Sequence, residues 1–234
     1  AVLHRDDSVS AGHHSSAARE VELSRPSQQL SPCLIPVPEE IRGEKVLLRP
    51  YREEDAPALW EAIEESRRDL EPWLPWVRSY DRPDVALEFV IRHKARWLLR
   101  EDLTMGIFDP STGRLLGGTG LHRIDWTTRK FEIGYWLRSS AQGKGYVTDA
   151  VRALTRTAFD LLDAARVEIR MDARNERSRR VPERLGFTHE ATLRRNMRDG
   201  DGHLRDTHVY ALIREEYERL PWRGSSAGTL PATS

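Results

Sequence analysis

Hydrophobic and polar positions follow two different periods along the middle of the chain, and each period predicts a different kind of element. Apolar residues recur at helical spacing over 53–67, and again from Pro83 or Asp84 to about Arg100, which predicts two helices with one buried side each. Shorter apolar runs bounded by turn residues predict strands. These strands are expected over 45–49, 104–108, 115–124, 130–137, 167–171, 189–196 and 204–213.

Two further helices and two turn signals complete the order of elements. One helix is expected over about 149–162, and a shorter one over 176–184, which Gly186 should cap at its C-terminal end. The segments 109–113 and 199–202 are strong turn signals between neighbouring strands. A strand, two helices, three antiparallel strands, a helix, a strand, a helix and a closing hairpin predict a mixed α/β (α+β) domain around one sheet.

The two ends of the chain lack this patterning. Residues 1–40 are rich in Ser, His, Arg, Glu and Pro without a sustained amphipathic period, and residues 223–234 are small and polar. We therefore expect one folded domain over 41–222 between a flexible N-terminal tail and a flexible C-terminal tail. Because no apolar run approaches about 18 residues and Ala1–Glu20 has no apolar core of the signal-peptide kind, we expect a cytoplasmic protein without a membrane partner.

Charge and cysteine content narrow the partners further. The 234 residues contain 37 Lys+Arg and 37 Asp+Glu, so the formal net charge is zero and nothing global indicates nucleic acid as a partner. Cys33 is the single cysteine, which excludes an intrachain disulfide. His13 and His14 could hold a metal weakly, but the composition around them is typical of a solvated tail, and we expect no metal site.

A glycine-containing turn, Gln142-Gly143-Lys144-Gly145-Tyr146-Val147-Thr148, joins the strand over 130–137 to the helix near Asp149. Free backbone N–H groups at a helix N-terminus, together with the helix dipole, form a site for an anion, so the turn predicts a phosphate-bearing ligand. The P-loop pattern is absent and the third glycine of the dinucleotide-binding pattern is missing. A glycine turn that serves structure alone is the alternative.

Six segments in this order resemble the GNAT superfamily of N-acetyltransferases, specifically its RimJ/RimL-like branch of the ribosomal-protein-alanine N-acetyltransferase type. The resemblance spans roughly 45–217 and implies the GNAT fold, with a mixed, mostly antiparallel central sheet whose strands splay apart and which is flanked by helices. The segments are Leu48-Arg49-Pro50-Tyr51 with Asp55, Trp73-Leu74-Pro75-Trp76, Glu132-Ile133-Gly134-Tyr135-Trp136-Leu137, Gln142-Gly143-Lys144-Gly145-Tyr146, Asn175-Glu176-Arg177-Ser178 and Glu183-Arg184-Leu185-Gly186-Phe187.

The resemblance implies that the turn binds the pyrophosphate of acetyl-CoA, the co-substrate of these enzymes. The family pattern is Gln/Arg-x-x-Gly-x-Gly/Ala, which Gln142 and Gly145 match and Val147 does not. The N–H of Val147 can still donate, but its larger side chain is expected to crowd the turn or shift the pyrophosphate. The cofactor-binding residues implied are Gln142, Gly143, Lys144, Gly145, Tyr146, Val147, Thr148 and Asn175.

Acetyl transfer from a thioester to an amine requires a proton acceptor for the amine and is helped by a donor to the leaving sulfur. Glu132, on the strand that leads into the turn, is the candidate base acting through water; a strand carboxylate paired with Arg or Lys is the alternative. By resemblance, Ser178 lies near the sulfur and Asn175 in the CoA channel. Helix capping is the alternative role for both, and for Asn175 the two roles are compatible.

Trp73, Trp76 and His122 are the candidate substrate-binding residues. By resemblance, the segment with the two tryptophans lines the acceptor pocket; core packing is the alternative. His122, on the strand before the one that carries Glu132, could act as a second proton acceptor near neutral pH; a structural histidine is the alternative. The acceptor is a primary amine, either a protein N-terminal α-amine or a small molecule such as an antibiotic, a polyamine or an amino acid. A non-catalytic acyl-CoA-binding regulatory module is the rival function, and a homodimer is expected by analogy alone.

Overall fold

The computed structural model describes residues 31–224, which form one sheet of eight strands with helices on both faces. The predictions for 1–30 and 225–234 lie outside these residues. The strands are β1 (Ile41–Arg42), β2 (Leu47–Arg49), β3 (Leu103–Phe108), β4 (Leu115–Asp125), β5 (Lys130–Leu137), β6 (Arg166–Asp172), β7 (Thr188–Arg198) and β8 (Leu204–Ile213). The helices are α1 (Ala56–Leu70), α2 (Asp84–Leu98), α3 (Tyr146–Arg156), α4 (Glu176–Leu185) and α5 (Arg214–Tyr217).

The sheet has the order β1-β2-β3-β4-β5-β6-β8-β7, and β5–β6 is its one parallel pair. That pair is short, because its register runs only from Lys130 opposite Arg166 to Glu132 opposite Glu168. Beyond these positions β5 continues along β4 and β6 continues along β8, so the two central strands separate. The mixed, mostly antiparallel sheet with splayed strands is therefore confirmed, and the splay opens directly after Glu132.

Consecutive residues of β5 face opposite sides of the sheet, and each side has its own core. Phe131 and Ile133 are buried with the apolar face of α3, and Tyr135 packs against the same cluster. Trp136 instead packs against a cluster formed mainly by α1 and the first half of α2. We call these the α3 side (Phe131, Ile133, Tyr135 and Leu137) and the α1 side (Glu132, Gly134 and Trp136) of β5.

Two helices begin at residues other than the expected ones, and one strand was not expected. The first helix begins at Ala56 because Glu53–Asp55 form a 3-10 turn, in which the Asp55 carboxylate accepts the N–H of Arg52. The third helix begins at Tyr146, three residues before its expected start, and passes into a π-helical turn at Thr157–Leu161. Strand β1 has only two residues, too few to show a period.

The described termini of the domain pack against it. Ile35 and Val37, upstream of the expected boundary at 41, lie partly buried against the α3-side core, as does Trp222 near the other boundary. Between residues 31 and 224 no helix is both long and apolar enough to cross a membrane.

Candidate active site

The glycine turn presents three backbone donors at the start of α3. Gly145 is the N-cap residue with φ +81°, and Gly143 has φ +76°, left-handed conformations that glycine adopts without strain. The first helical bond runs from the Asp149 N–H to the Gly145 carbonyl at 3.1 Å. The N–H groups of Tyr146, Val147 and Thr148 precede that bond, and therefore they point out of the helix without a helical acceptor.

Two lysines bring positive charge to this turn. The Lys144 ammonium donates to the Ser140 carbonyl at 3.2 Å, and the Lys45 ammonium donates to the Lys144 carbonyl at 3.3 Å. Together with the helix dipole they make the turn attractive to an anion. Sequence reasoning identified Lys144 but missed Lys45, because 99 positions separate the two residues and only the fold joins them.

Asp149 lies in the first turn of α3, directly after the glycine turn. Its carboxylate is buried and accepts the N–H groups of Glu44 at 3.1 Å and Lys45 at 2.7 Å. A side chain at Gly43 would bring its Cβ within 2.3 Å of this carboxylate, so the close approach requires glycine. Asp149 therefore fixes the β1–β2 turn, and with it Lys45, against α3.

Val147 departs from the small residue of the family pattern without blocking the turn. Its side chain is partly buried and packs against the α3-side core. Because its backbone N–H belongs to the first turn of α3, the donor remains although the side chain is larger.

The N-terminus of α4 lies beside the glycine turn. Asn175 caps this helix, since its Oδ1 accepts the Ser178 N–H at 3.0 Å, which confirms the capping role. The side-chain amide oxygen Oε1 of Gln142 accepts a guanidinium N–H of Arg177, a bond that joins the turn to α4. Gln142, Asn175 and Ser178 therefore border one region, although Gln142 and Asn175 also hold the local structure.

Tyr135 reaches from the α3 side of β5 to Ser178. The Ser178 hydroxyl donates to the Tyr135 oxygen at 3.1 Å, and the Tyr135 hydroxyl donates to the Ser178 carbonyl at 2.9 Å. Burial raises the pKa of Tyr135, so it stays a neutral hydroxyl at physiological pH. No tyrosine lies on α4 itself, and sequence reasoning did not anticipate that Tyr135 on β5 would contact Ser178.

Glu132 occupies the last paired position before the splay, between His122 on β4 and Glu168 on β6. Its carboxylate faces two guanidinium groups, with Oε2 3.6 Å from Arg123 Nη1 and 3.5 Å from Arg170 Nε. Oε2 is buried and lacks a hydrogen-bond partner among the described residues. Burial raises the pKa of Glu132, and the charges of the two arginines oppose that shift. The arginine neighbours expected for the alternative role are present, and the role of Glu132 as base stays a prediction.

His122 lies beside Glu132 on the α1 side and is bound to a buried carboxylate. Its Nδ1 is 3.0 Å and 3.1 Å from the two carboxylate oxygens of Asp102, which also accepts the Thr104 hydroxyl. Burial alone would raise the pKa of Asp102, but the hydrogen bonds from His122 and Thr104 hold it below its usual value. Asp102 is therefore an anion whose partner is the imidazole.

The two tryptophans expected to line the acceptor pocket differ in their contacts. The ring of Trp76 lies 6.3 Å from that of Trp136 on β5 and 5.5 Å from that of Tyr80, in edge-to-face geometry. Trp73 is half-buried just after α1, where its backbone N–H donates to the Leu70 carbonyl at 3.0 Å. Trp76 is thus joined to the α1 side of β5 through Trp136, a residue that sequence reasoning did not single out.

Comparisons with known proteins agree with the resemblance to the GNAT superfamily. The family model described as Acetyltransferase (GNAT) domain matches residues 45–188. A Bacillus subtilis protein named "Putative ribosomal N-acetyltransferase YdaF" is 33% identical over 180 residues, which are 75% of this chain and 95% of that protein.

Two solved structures have a similar fold. Mycobacterium smegmatis RimJ in complex with CoA-disulfide is 26% identical with a TM-score of 0.72, over 78% of this chain and 91% of that one. A ribosomal L7/L12 α-N-protein acetyltransferase, RimL, in complex with coenzyme A is 24% identical with a TM-score of 0.69, over 78% and 98%. The family match, the splayed sheet and the turn agree, and the chain belongs to the GNAT family of acetyltransferases.

Proposed function

We propose that this chain transfers an acetyl group from acetyl-CoA to a primary amine by direct attack in a ternary complex, with a protein N-terminal α-amine as its acceptor. The observation that carries the proposal is the row of N–H groups at Tyr146, Val147 and Thr148, flanked by Lys45 and Lys144. The turn follows β5, the strand on which Glu132 stands where the sheet splays.

The donors of the turn fit a pyrophosphate. Backbone N–H groups at a helix N-terminus bind phosphate oxygens, and two ammonium groups add charge that falls off over about 8–10 Å in salt. Gly143 and Gly145 leave space over the turn, since a Cβ at Gly143 would meet nothing within 4 Å and one at Gly145 only the Lys45 ammonium at 3.6 Å. An anionic group can therefore approach the backbone closely.

In the proposed mechanism the protein supplies proton transfer and orientation. Glu132 attracts the acceptor ammonium and takes a proton from it, directly or through water, so that the nitrogen lone pair is free to attack. The Ser178 hydroxyl, held beside Tyr135, turns its single proton from the Tyr135 oxygen to the sulfur as it leaves. Because a thioester is already activated, no covalent intermediate on the protein is required.

The α-amine acceptor is supported by what similar proteins are named for. Besides the ribosomal N-acetyltransferase from Bacillus subtilis, an Escherichia coli ribosomal-protein-serine acetyltransferase is 32% identical over 99 residues. Small amines are the alternative acceptors, and larger acyl donors remain open to test. Cytoplasmic location stays a prediction from the sequence, and a homodimer stays a prediction by analogy alone.

The test is a screen of CoA thiol release from acetyl-CoA with purified full-length chain. One set of acceptors consists of peptides that begin with Ser or Ala, and a second set has the same peptides with an acetylated N-terminus and a Lys side chain as their free amine. A third set consists of small amines: spermidine, free amino acids and an aminoglycoside. We expect turnover with free peptide N-termini and none with the blocked peptides. Turnover with the small amines alone would show that the acceptor is a small amine and not a protein N-terminus. Tight acetyl-CoA binding without turnover on any amine would show that the chain is a binding module.

A further inference from the structure

Acetylation of a protonated amine removes two protons from the same nitrogen. The ammonium must lose one proton before its lone pair can form the C–N bond to the thioester carbonyl carbon. As that bond forms, the carbonyl π pair moves to oxygen and the nitrogen again carries a positive charge, so it must lose a second proton. The C–S bond then breaks, and the thiolate takes up one proton while the other passes to solvent. Glu132 accounts for one of the two acceptors.

The imidazole ring of His122 packs closely against two glycines, Gly120 and Gly134. Gly120 on β4 lies opposite Gly134 on β5, and His122 lies opposite Glu132. A Cβ at Gly120 would come within 2.8 Å of the ring carbon Cε1, and a Cβ at Gly134 within 3.2 Å of Cδ2 and 3.3 Å of Nε2. The ring therefore extends past Glu132 to Gly134, two residues beyond the last β5–β6 pair, where the splay is open.

Asp102 determines which ring nitrogen can accept a proton. An ionised carboxylate only accepts hydrogen bonds, so its contact with Nδ1 at 3.0 Å places a proton on that nitrogen. The neutral ring then has its lone pair on Nε2, which no described residue hydrogen-bonds. The side chain of His122 is 29% exposed, while that of Asp102 is 9% exposed. Nε2 of His122 is therefore a proton acceptor with access to the splay, and the buried Asp102 carboxylate contacts the opposite ring nitrogen.

We propose that Nε2 of His122 accepts the second proton, the one that leaves the nitrogen as the C–N bond forms, with Asp102 as its positioning residue. The inference rests on the proposed function and adds a division of labour on the α1 side of β5. Glu132 prepares the amine, and His122 takes the proton during attack, where a positioned base contributes about 100-fold or more to the rate. Asp102 before β3, His93 on α2 and Glu132 on β5 lie within electrostatic reach of the ring, and Arg123 on β4 together with Glu168 and Arg170 on β6 lie around Glu132.

The test measures kcat from pH 6 to 10 for wild type, His122→Gln and Glu132→Gln, with acetyl-CoA and the best amine of the screen. The two variants should differ in pH dependence. The deficit of Glu132→Gln should close once the free amine predominates in solution, whereas His122→Gln should remain about 100-fold slower from neutral pH up to pH 10, because the adduct still carries the second proton. The matched control is His93→Gln on α2, whose Nδ1 contacts the Phe89 carbonyl at 2.9 Å, and its kcat should stay near wild type.

Two further variants separate catalysis from structure. Gly134→Ala should displace the ring by a few tenths of an ångström and lower kcat several-fold in wild type, but change nothing further in His122→Gln. Asp102→Asn should lower kcat and leave the calorimetric acetyl-CoA affinity unchanged. The inference is overturned if His122→Gln matches His93→Gln, or if its deficit also closes at alkaline pH. Absence of turnover by the wild-type chain would instead overturn the proposed function itself.

Discussion

The two sides of β5 show two ways of building half of an active site. On the α3 side, Tyr135 meets Ser178 beside a turn whose donors are backbone N–H groups. On the α1 side, the polar groups are the side chains of Glu132 on β5, His122 on β4 and Asp102 just before β3, which the register of these strands brings together. The α3 side presents fixed dipoles for an anion, and the α1 side presents proton acceptors, which suits it to an amine.

The difference also predicts how each side should fail when altered. Backbone donors cannot be removed by truncating a side chain, so the α3 side is damaged through helix geometry and charge. The α1 side depends on titratable groups, so its defects should change with pH. Variants of the two sides should accordingly separate into losses of cofactor affinity and pH-dependent losses of rate.

The largest effect is expected at Gly145, the N-cap of α3. In Gly145→Asp the residue must keep a φ of +81°, and the new carboxylate would compete with a phosphate for the N–H groups and for Lys45. We expect acetyl-CoA affinity, measured by calorimetry, to fall about 100-fold, equivalent to about 2.7 kcal/mol. Gly113→Asp is the matched control, because Gly113 has φ +70° in the β3–β4 turn. Equal losses in both variants would contradict a phosphate site at the turn.

A smaller, pH-dependent effect is expected at Glu132. An α-amine with a pKa of about 8 is roughly 10% unprotonated at pH 7, so Glu132→Gln should slow the reaction about tenfold there and approach wild type above pH 8. With an amine of pKa about 10, the deficit should close correspondingly later. The rate advantage of wild type over Glu132→Gln should also shrink at low pH, because a protonated Glu132 cannot accept a proton. Burial raises the pKa of Glu132, so this loss should begin at a higher pH than for an exposed Glu. A deficit that is the same at every pH would remove Glu132 from this role.

The smallest effect is expected at Tyr135. Tyr135→Phe removes a hydroxyl that bonds both the oxygen and the carbonyl of Ser178, contacts worth about 1 kcal/mol each. We expect kcat to fall about fivefold with little change in the KM for acetyl-CoA or the amine. Tyr51→Phe serves as control, since the Tyr51 hydroxyl bonds the Gly117 carbonyl in the core on the α1 side. A KM defect without a kcat defect would show that Tyr135 acts in binding.

The sequence predicted the α3 side well because its signals are local. The glycine turn before α3, Asn175 as a cap of α4 and Gly186 at the end of that helix each follow from a few consecutive residues. The order of the expected strands and helices was also correct, whereas β1 and α5 were missed because two and four residues are too few to show a period. The start of α3 was placed three residues late because the turn residues Tyr146 to Thr148 carry no helical period of their own.

The α1 side could not be assembled from the sequence. Asp102 and His122 are 20 positions apart, and only the register of β3, β4 and β5 joins them. The partnership of Trp76 with Trp136 likewise depends on the packing of the α1–α2 connection against the sheet. Candidate residues were identified by type, but their partners are long-range, and a single sequence contains no signal that pairs them.

The central claim, that the turn before α3 binds acetyl-CoA through its backbone, is tested most directly by amide hydrogen exchange with and without acetyl-CoA. The N–H groups of Tyr146, Val147 and Thr148 have no helical acceptor and should become protected on binding. The connection that carries Trp76, on the α1 side, should change little until an amine is added. Unchanged exchange at Tyr146–Thr148 in protein saturated with acetyl-CoA would contradict the account.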